Sequence, residues 1–406
     1  MKFVFSMTLA LALLASAPAL AEGTIDVMTQ NQYLGADLTP IITAPDAAAF
    51  NAAMIEALQQ AAANDFPARA KQLAGLIADR LPDLVGLQEM FHFQCFDVDP
   101  RDGDQCEDPS IANAFNDHLV ATLFELAGLD EPYVDVATVN NLDIRFTIPG
   151  LPTAGLPVDL DFNGIPDITV TVLDRDVILA RWDIAETGNP TPVSFPCTKP
   201  SVDGCNYQVV APVNLLGVEL SIERGFVGVD ATIGGTTYRF VNTHLEVQRP
   251  GGTDASSIIQ ALQAAQLIQT LGGTTPEGVS VIVVGDINSS SEDPIIINPT
   301  QPNPFPPPFD QFIIPPYTQF VGSGYTDSWD LRPGDEPGYT CCQLDDLSNP
   351  ESILDERIDV IFSIEVPNKV KKARVLGAKV SDKTPPPGHG LWPSDHGNVA
   401  AELQFP

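Results

Sequence analysis

Positive charge is scarce in this chain. Its 406 residues carry 20 Lys and Arg against 53 Asp and Glu, a formal net charge of −33. Such a surface repels polyanions at long range, which excludes a protein that coats nucleic acid by charge and leaves room only for a local, cation-filled cleft. Long apolar runs are missing after Leu20, so no later segment is long enough to span a bilayer. There is no Ser/Gly linker and no internal repeat, and therefore no sign of a flexibly tethered array. Cysteines number six.

What is present begins with an export signal. Lys2 precedes an apolar run from Phe3 to Leu20 that ends in Ala19-Leu20-Ala21. A cationic start, an apolar middle and a small-residue end make residues 1–21 a secretory signal peptide, which predicts a secreted or periplasmic protein. In an oxidising compartment the cysteines become disulfide candidates. The short local spacings favour Cys95–Cys106 and Cys197–Cys205, leaving Cys341 and Cys342 for a vicinal bond or as free thiols. Spacing does not prove this, because six cysteines allow 15 connectivities.

The stretch around which the rest is organised is Val281-Ile282-Val283-Val284-Gly285-Asp286-Ile287-Asn288. Four consecutive β-branched residues predict a strand buried on both faces. Gly285 lets the backbone turn, and Asp286 and Asn288, two residues apart, point to one side. Other strands also deliver polar residues at their ends. Thr24 to Gln30 leads to Asn31. Leu84 to Leu87 leads to Gln88 and Glu89. A hairpin from Phe226 to Val241, turning at Gly234-Gly235, leads to Asn242-Thr243-His244. Strands are also predicted at Tyr133–Val139, Ile168–Leu173 and Arg357–Phe362, and at Asn398–Leu403 after Ser394-Asp395-His396. Helices are predicted over Ala47–Ala63, from Pro67 to Leu81, over Ile111–Leu126 and over Ala255–Leu271. Pro299 to Pro316 is predicted to be irregular. Taken singly, each strand-end residue has a plain structural reading, such as a turn cap or a hydrogen-bonded core histidine. Together they sit where α/β sheets place their sites.

The ordered set Asn31, Leu87-Gln88-Glu89, Asn242-Thr243-His244, Gly285-Asp286-Ile287-Asn288, Arg357-Ile358-Asp359 and Ser394-Asp395-His396 resembles the endonuclease/exonuclease/phosphatase superfamily. It spans nearly the whole chain after the leader. Asp174-Arg175-Asp176 and Gly338 to Gln343 look like features of exported bacterial members. The resemblance implies one catalytic domain over residues 22–406. Its expected fold is an α/β (α+β) four-layer sandwich, two mixed β-sheets face to face with helices outside. It also implies a Mg²⁺- or Mn²⁺-dependent phosphoester hydrolase, acting by in-line attack of an activated water. Glu89 would be the main metal carboxylate, completed or supported by Asn31, Asp286 and Asp395. Asp286 and Asn288 would orient water and phosphate, while His244 and Arg175 would bond phosphoryl oxygens. His396 would be a base or a cationic phosphate ligand, with Asp359 fixing its tautomer. Whether Asp286 or His396 takes the proton is left open by the sequence.

A separate loop, Asp159-Leu160-Asp161-Phe162-Asn163-Gly164-Ile165-Pro166-Asp167, imitates the first half of a calcium loop, with donors at Asp159, Asp161, Asn163 and Asp167. The closing Glu is replaced by Val170, and a plain acidic turn is the competing reading. The expected substrate is a phosphoester: nucleic acid, phospholipid or small molecule. A nuclease needs a basic track, for which Lys369 to Arg374 is the only cluster. A sphingomyelinase-like or phospholipase C-like enzyme needs a transient membrane contact, for which Phe305, Phe309, Phe312, Ile313, Ile314 and Tyr317 are candidates. A monomer is expected. The competing class is an exported, non-catalytic binding protein that keeps only the fold.

Overall fold

The computed structural model describes residues 23–99, 101, 103–146, 154–215, 218–248, 254–297, 310–386 and 390–406. The leader at 1–21 and most of the proline-rich stretch lie outside the described residues. Among the described residues no helix is long and apolar enough to cross a membrane.

Among the described residues, two eight-stranded sheets form the frame. In the first, Thr24–Asn31 is central, parallel to Leu84–Gln88 and antiparallel to Asn398–Gln404. The long Ile168–Arg181 strand follows. It pairs Leu84–Gln88 and His92–Asp97 along one edge, and Tyr133–Ile144 and Leu156–Val158 along the other. In the second sheet Ser280–Asp286 is central, parallel to Thr236–His244 and antiparallel to Asp359–Ser363.

Alternation along each strand explains the layers. Ile25, Val27, Leu84, Ile178, Val227, Phe240, Ile282 and Val284 meet in the core between the two sheets. Their neighbours point the other way. Met28, Val85, Val177 and Leu179 pack under the Phe66–Arg80 and His118–Gly128 helices through Ala74, Ile77, Leu119 and Leu126. Val281 and Val283 pack under the Asp254–Thr274 helix through Ala264, Leu267 and Leu271. The result is the expected four-layer sandwich. Val281 to Val284 are at most 3% exposed, each burial contributing about 1.5–3 kcal/mol. That anchoring makes the strand a rigid support for the loop at its end.

Local differences from the sequence reading have physical causes. The region from Ile111 to Leu126 is not one helix but a short 3₁₀ turn, Ala112–Ala114, and a helix, His118–Gly128. Asp117 separates them by accepting from the Leu119 and Val120 amides at 3.0 and 3.2 Å, an N-cap that starts a new helix. Within the proline-rich stretch, Phe312–Ile313 forms a short strand with Ile296–Ile297, and Pro316 opens a helix to Gly322. Proline has no amide to donate, so a first-turn position suits it. Ile313 and Tyr317 are 2% and 6% exposed, so this part of the candidate membrane contact is folded into the protein. Phe305 and Phe309 lie outside the described residues. Cys95–Cys106 and Cys197–Cys205 are bonded as the local pairing expected, and of the two alternatives for Cys341 and Cys342 the vicinal bond is formed.

Candidate active site

Strand register alone brings the polar ends together. His244 stands opposite Asp286, and Asp286 opposite Asp359, across three neighbouring strands of the second sheet. In the first sheet Asn31 stands opposite Gln88. Asn242 stitches the two sheets at this level. Its amide accepts from Gln88 Nε2 at 2.6 Å and donates to the carbonyls of Leu87 and Val177 at 2.8 and 3.0 Å.

Two site residues sit in the left-handed region, Glu89 at φ 56° and Asn288 at φ 48°. Held strain of this kind concentrates at functional loops and persists only where the surroundings fix it. Glu89 is fixed by the Leu34 amide on Oε2 at 2.9 Å and the Asn31 amide on Oε1 at 3.2 Å. Asn288 is fixed by its own amide on Asp286 Oδ1 at 2.9 Å and by Nδ2 on the Leu245 carbonyl at 3.0 Å. Gly285 has φ 146°, and a Cβ there would collide with the Thr243 carbonyl oxygen, so the strand end needs glycine.

Asn31 joins the two halves, because Nδ2 also donates to Asp286 Oδ2 at 3.1 Å. In this orientation Asn31 holds two carboxylates with its N–H groups, and its oxygen accepts from the Tyr33 amide at 2.9 Å. His396 Nδ1 lies 2.8 Å from Asp359 Oδ2, and its Nε2 lies 3.7 Å from Asp286 Oδ2. A turn brings Asp395 and His396 into the same cleft. Ser394 Oγ donates to the Asn31 carbonyl at 2.8 Å and accepts from the His396 amide at 3.1 Å. Thr340 buttresses the pair: Oγ1 accepts from the Asp359 amide at 3.1 Å, and its carbonyl accepts from Gly397 at 2.7 Å.

Burial sets the charges. It raises Asp286 to about 7 against the pull of His396, and raises Asp395 to about 6. Burial alone would lower His396, but the carboxylates of Asp359, Asp395 and Asp286 outweigh it and hold the imidazole well above the ordinary histidine range. Burial, then the cation of Arg224, pushes His244 well below that range. Arg224 Nη1 lies 2.9 Å from His244 Nδ1. Guanidinium can only donate, so Nδ1 accepts and the ring proton sits on Nε2, 3.5 Å from Asp286 Oδ2.

Arg175 is not part of this cluster. It alternates with Asp174 and Asp176, which face between the sheets, and its guanidinium is bound to Asp117 at 2.6 Å and to the Met90 carbonyl at 3.0 Å. Arg224 is the cation beside His244 in its place. Nothing in the sequence marks it, because it lies just before the Gly225–Ile233 strand and carries no motif. Asn242 and Thr340 stand inside recognisable motifs, but their bracing roles come from contacts with distant strands. The calcium-like loop is formed: one carboxylate oxygen from each of Asp159, Asp161 and Asp167 lies within 4.8 Å of the others. Asp159 and Asp161 accept from the Asn163 amide at 3.1 and 3.0 Å, so the loop also reads as an Asx-stabilised turn.

No family model and no curated protein matches the chain. Solved structures of the endonuclease/exonuclease/phosphatase group do align over nearly all of it. A truncated TDP2 of Caenorhabditis elegans is 14% identical and aligns over 94% of this chain and 98% of its own, at TM-score 0.47. A family protein of Bacteroides thetaiotaomicron is 16% identical over 95% and 100%, at TM-score 0.49. A mannosyl-6-phosphatase of the same organism is 16% identical over 94% and 100%, at TM-score 0.47. Likenesses this distant carry no activity across.

Proposed function

We propose that this chain is an exported, divalent-metal-dependent phosphoester hydrolase. The observation that carries the reading is the row His244, Asp286, Asp359, with His396 held at 2.8 Å on Asp359, facing Asn31 and Glu89 from the other sheet.

The donor set fits a hard dication. Glu89 and Asp395 are only partly buried, and Asp286 is fully buried and tied to Glu89 through the Asn31 amide. All three offer carboxylate oxygens, the ligands that Mg²⁺ and Mn²⁺ prefer. Asn31 would support the carboxylates rather than bind the ion. Bound there, the ion would polarise a phosphoryl oxygen and stabilise the leaving group. Asp286 would take the proton of the attacking water at Oδ2. That water would be oriented by Asp286 and the Asn288 side chain. His396, held cationic by Asp359, would bond a phosphoryl oxygen as charge builds. Neutral His244 would donate through Nε2 to the same group.

A cleft lined by residues that follow Asn288 and precede Asp359 in the chain argues for a small phosphoester over a polynucleotide. It runs along Ser290, Asp293, Glu356 and Arg357 with about 720 Å³ of space, and seven of its lining side chains are carboxylates against two arginines. A polyanion would be repelled there. A second reading, a phosphoester bearing a short apolar group, has its own support. Leu34, whose amide holds Glu89, also lines an apolar cavity of about 90 Å³ with Leu38, Met54, Phe93 and Leu142. Purified protein with Mg²⁺ or Mn²⁺ is to be assayed against bis-p-nitrophenyl phosphate, sugar phosphates, sphingomyelin, DNA and RNA. Hydrolysis of the small esters in preference to polynucleotides is expected, and inertness to all of them would favour the binding protein.

A further inference from the structure

The Ile168–Arg181 strand carries Asp174 and Asp176 on the face between the sheets, 2% and 0% exposed. Beside it, the Tyr133–Ile144 strand slips register. Asn140 stands opposite Arg175 and Leu142 opposite Asp174, so Asn141 is an extra residue. Such a bulge re-aims a side chain. Asn141 is 1% exposed, and its amide bears on the ionisation of both carboxylates.

Within the described residues these atoms are poorly satisfied: the Asn141 amide lies beside both carboxylates and the Arg175 backbone N–H beside Asp174, yet none of Asp174 Oδ1, the two oxygens of Asp176, or Oδ1 and Nδ2 of Asn141 makes a well-formed hydrogen bond. Of the two carboxylates, Arg224 comes within ion-pair distance of Asp174, 3.9 Å from Oδ2, and its charge is shared with Glu246, Glu89 and the contact to His244. Two buried carboxylates with one distant cation are costly to hold, and a neutral amide does not neutralise them. What the strand and the bulge offer is several unpaired hard oxygens in a dry place. Hard dications such as Mn²⁺, Mg²⁺ and Ca²⁺ take that ligand type.

We propose that Asp174, Asp176 and Asn141 form a second divalent-cation site, lying between the sheets and distinct from the site at Glu89. The bound cation neutralises the pair and braces the two strands next to Arg224, and through Arg224 it steadies His244. This site stands whether or not the Glu89 site catalyses hydrolysis.

Manganese is the probe. Full-length protein carrying Asp161→Ala, which disables the exposed acidic loop, is dialysed against Mn²⁺ and its bound ion counted by elemental analysis. Two ions per chain are expected, falling to one in Asp176→Asn, to one in Glu89→Ala and to none when both are combined. Should Asp176→Asn unfold the protein, Asn141→Leu, which adds no charge, is expected to weaken one of the two ions at least tenfold. A count of one that only Glu89→Ala abolishes would overturn the second site and leave the proposed hydrolase standing. A count unchanged by Asp176→Asn or Asn141→Leu would mean a trapped water or shared proton instead, and would also overturn it. A protein that takes up no Mn²⁺ would overturn both.

Discussion

Replacing His396 by alanine in metal-free protein at pH 6 is expected to cost about 3–5 kcal/mol of folding stability, the usual result of removing one partner of a buried pair. Asp359 is 1% exposed, and its Oδ2 meets His396 at 2.8 Å while Oδ1 has no hydrogen-bond partner among the described residues. Without the imidazole the carboxylate is left buried with no cation. Asp359→Asn removes that charge, so the double variant should be more stable than the sum of the single losses predicts. The pH dependence has a definite sign. His396 is raised above the ordinary value of 6.5, so the pair's stabilisation is fully present below that pH and is lost as pH rises through the folded-state value. The cost of His396→Ala should therefore shrink in alkaline buffer. Urea unfolding followed by circular dichroism at pH 6 and in alkaline buffer, with EDTA present, measures both effects. Equal costs at the two pH values, or simple additivity, would refute the dyad. With metal restored, turnover of His396→Ala should fall by about a hundredfold or more, and Asp359→Asn should add little to it.

Gly285→Ala should cost about 2–4 kcal/mol and displace Asp286, because a Cβ meets the Thr243 carbonyl and φ is 146°; a near-normal urea midpoint would contradict the strand-end geometry. Replacing Cys95 and Cys106 together by serine should remove about 3 kcal/mol through the loop they close, read as a lower melting temperature with activity per folded molecule kept. Arg224→Ala should raise the His244 pKa and release its tautomer, since the guanidinium both lowers that pKa and donates to Nδ1. Imidazole NMR titration reads this, and an unmoved His244 would exclude the contact.

The strand ends were legible because burial on both faces leaves a signature. Four β-branched residues before Gly285 require a central strand, and Asp286 and Asn288 must then sit at its end. The partners of His244 were not legible. Arg224 reaches it from the connection just before the Gly225–Ile233 strand, whose placement depends on tertiary packing, and the Asn141 bulge is a one-residue register slip that leaves no local pattern. Arg175 belongs to a motif that suggests the site, although strand alternation already sets it opposite to its neighbours Asp174 and Asp176. The broken helix before Leu126 had a readable signal in Asp117, a capping residue inside an apolar run.

The central claim rests on Glu89, which is partly exposed, whose carboxylate is held by Asn31 and the Leu34 amide, and which is no part of the apolar core. The most direct measurement is the Mn²⁺-dependent hydrolysis of bis-p-nitrophenyl phosphate by the wild type and by Glu89→Ala, each with and without EDTA, alongside their circular dichroism spectra. Hydrolysis that needs the ion, and that disappears in Glu89→Ala with the spectrum unchanged, is the predicted result. Full turnover in EDTA, or in Glu89→Ala, would contradict it.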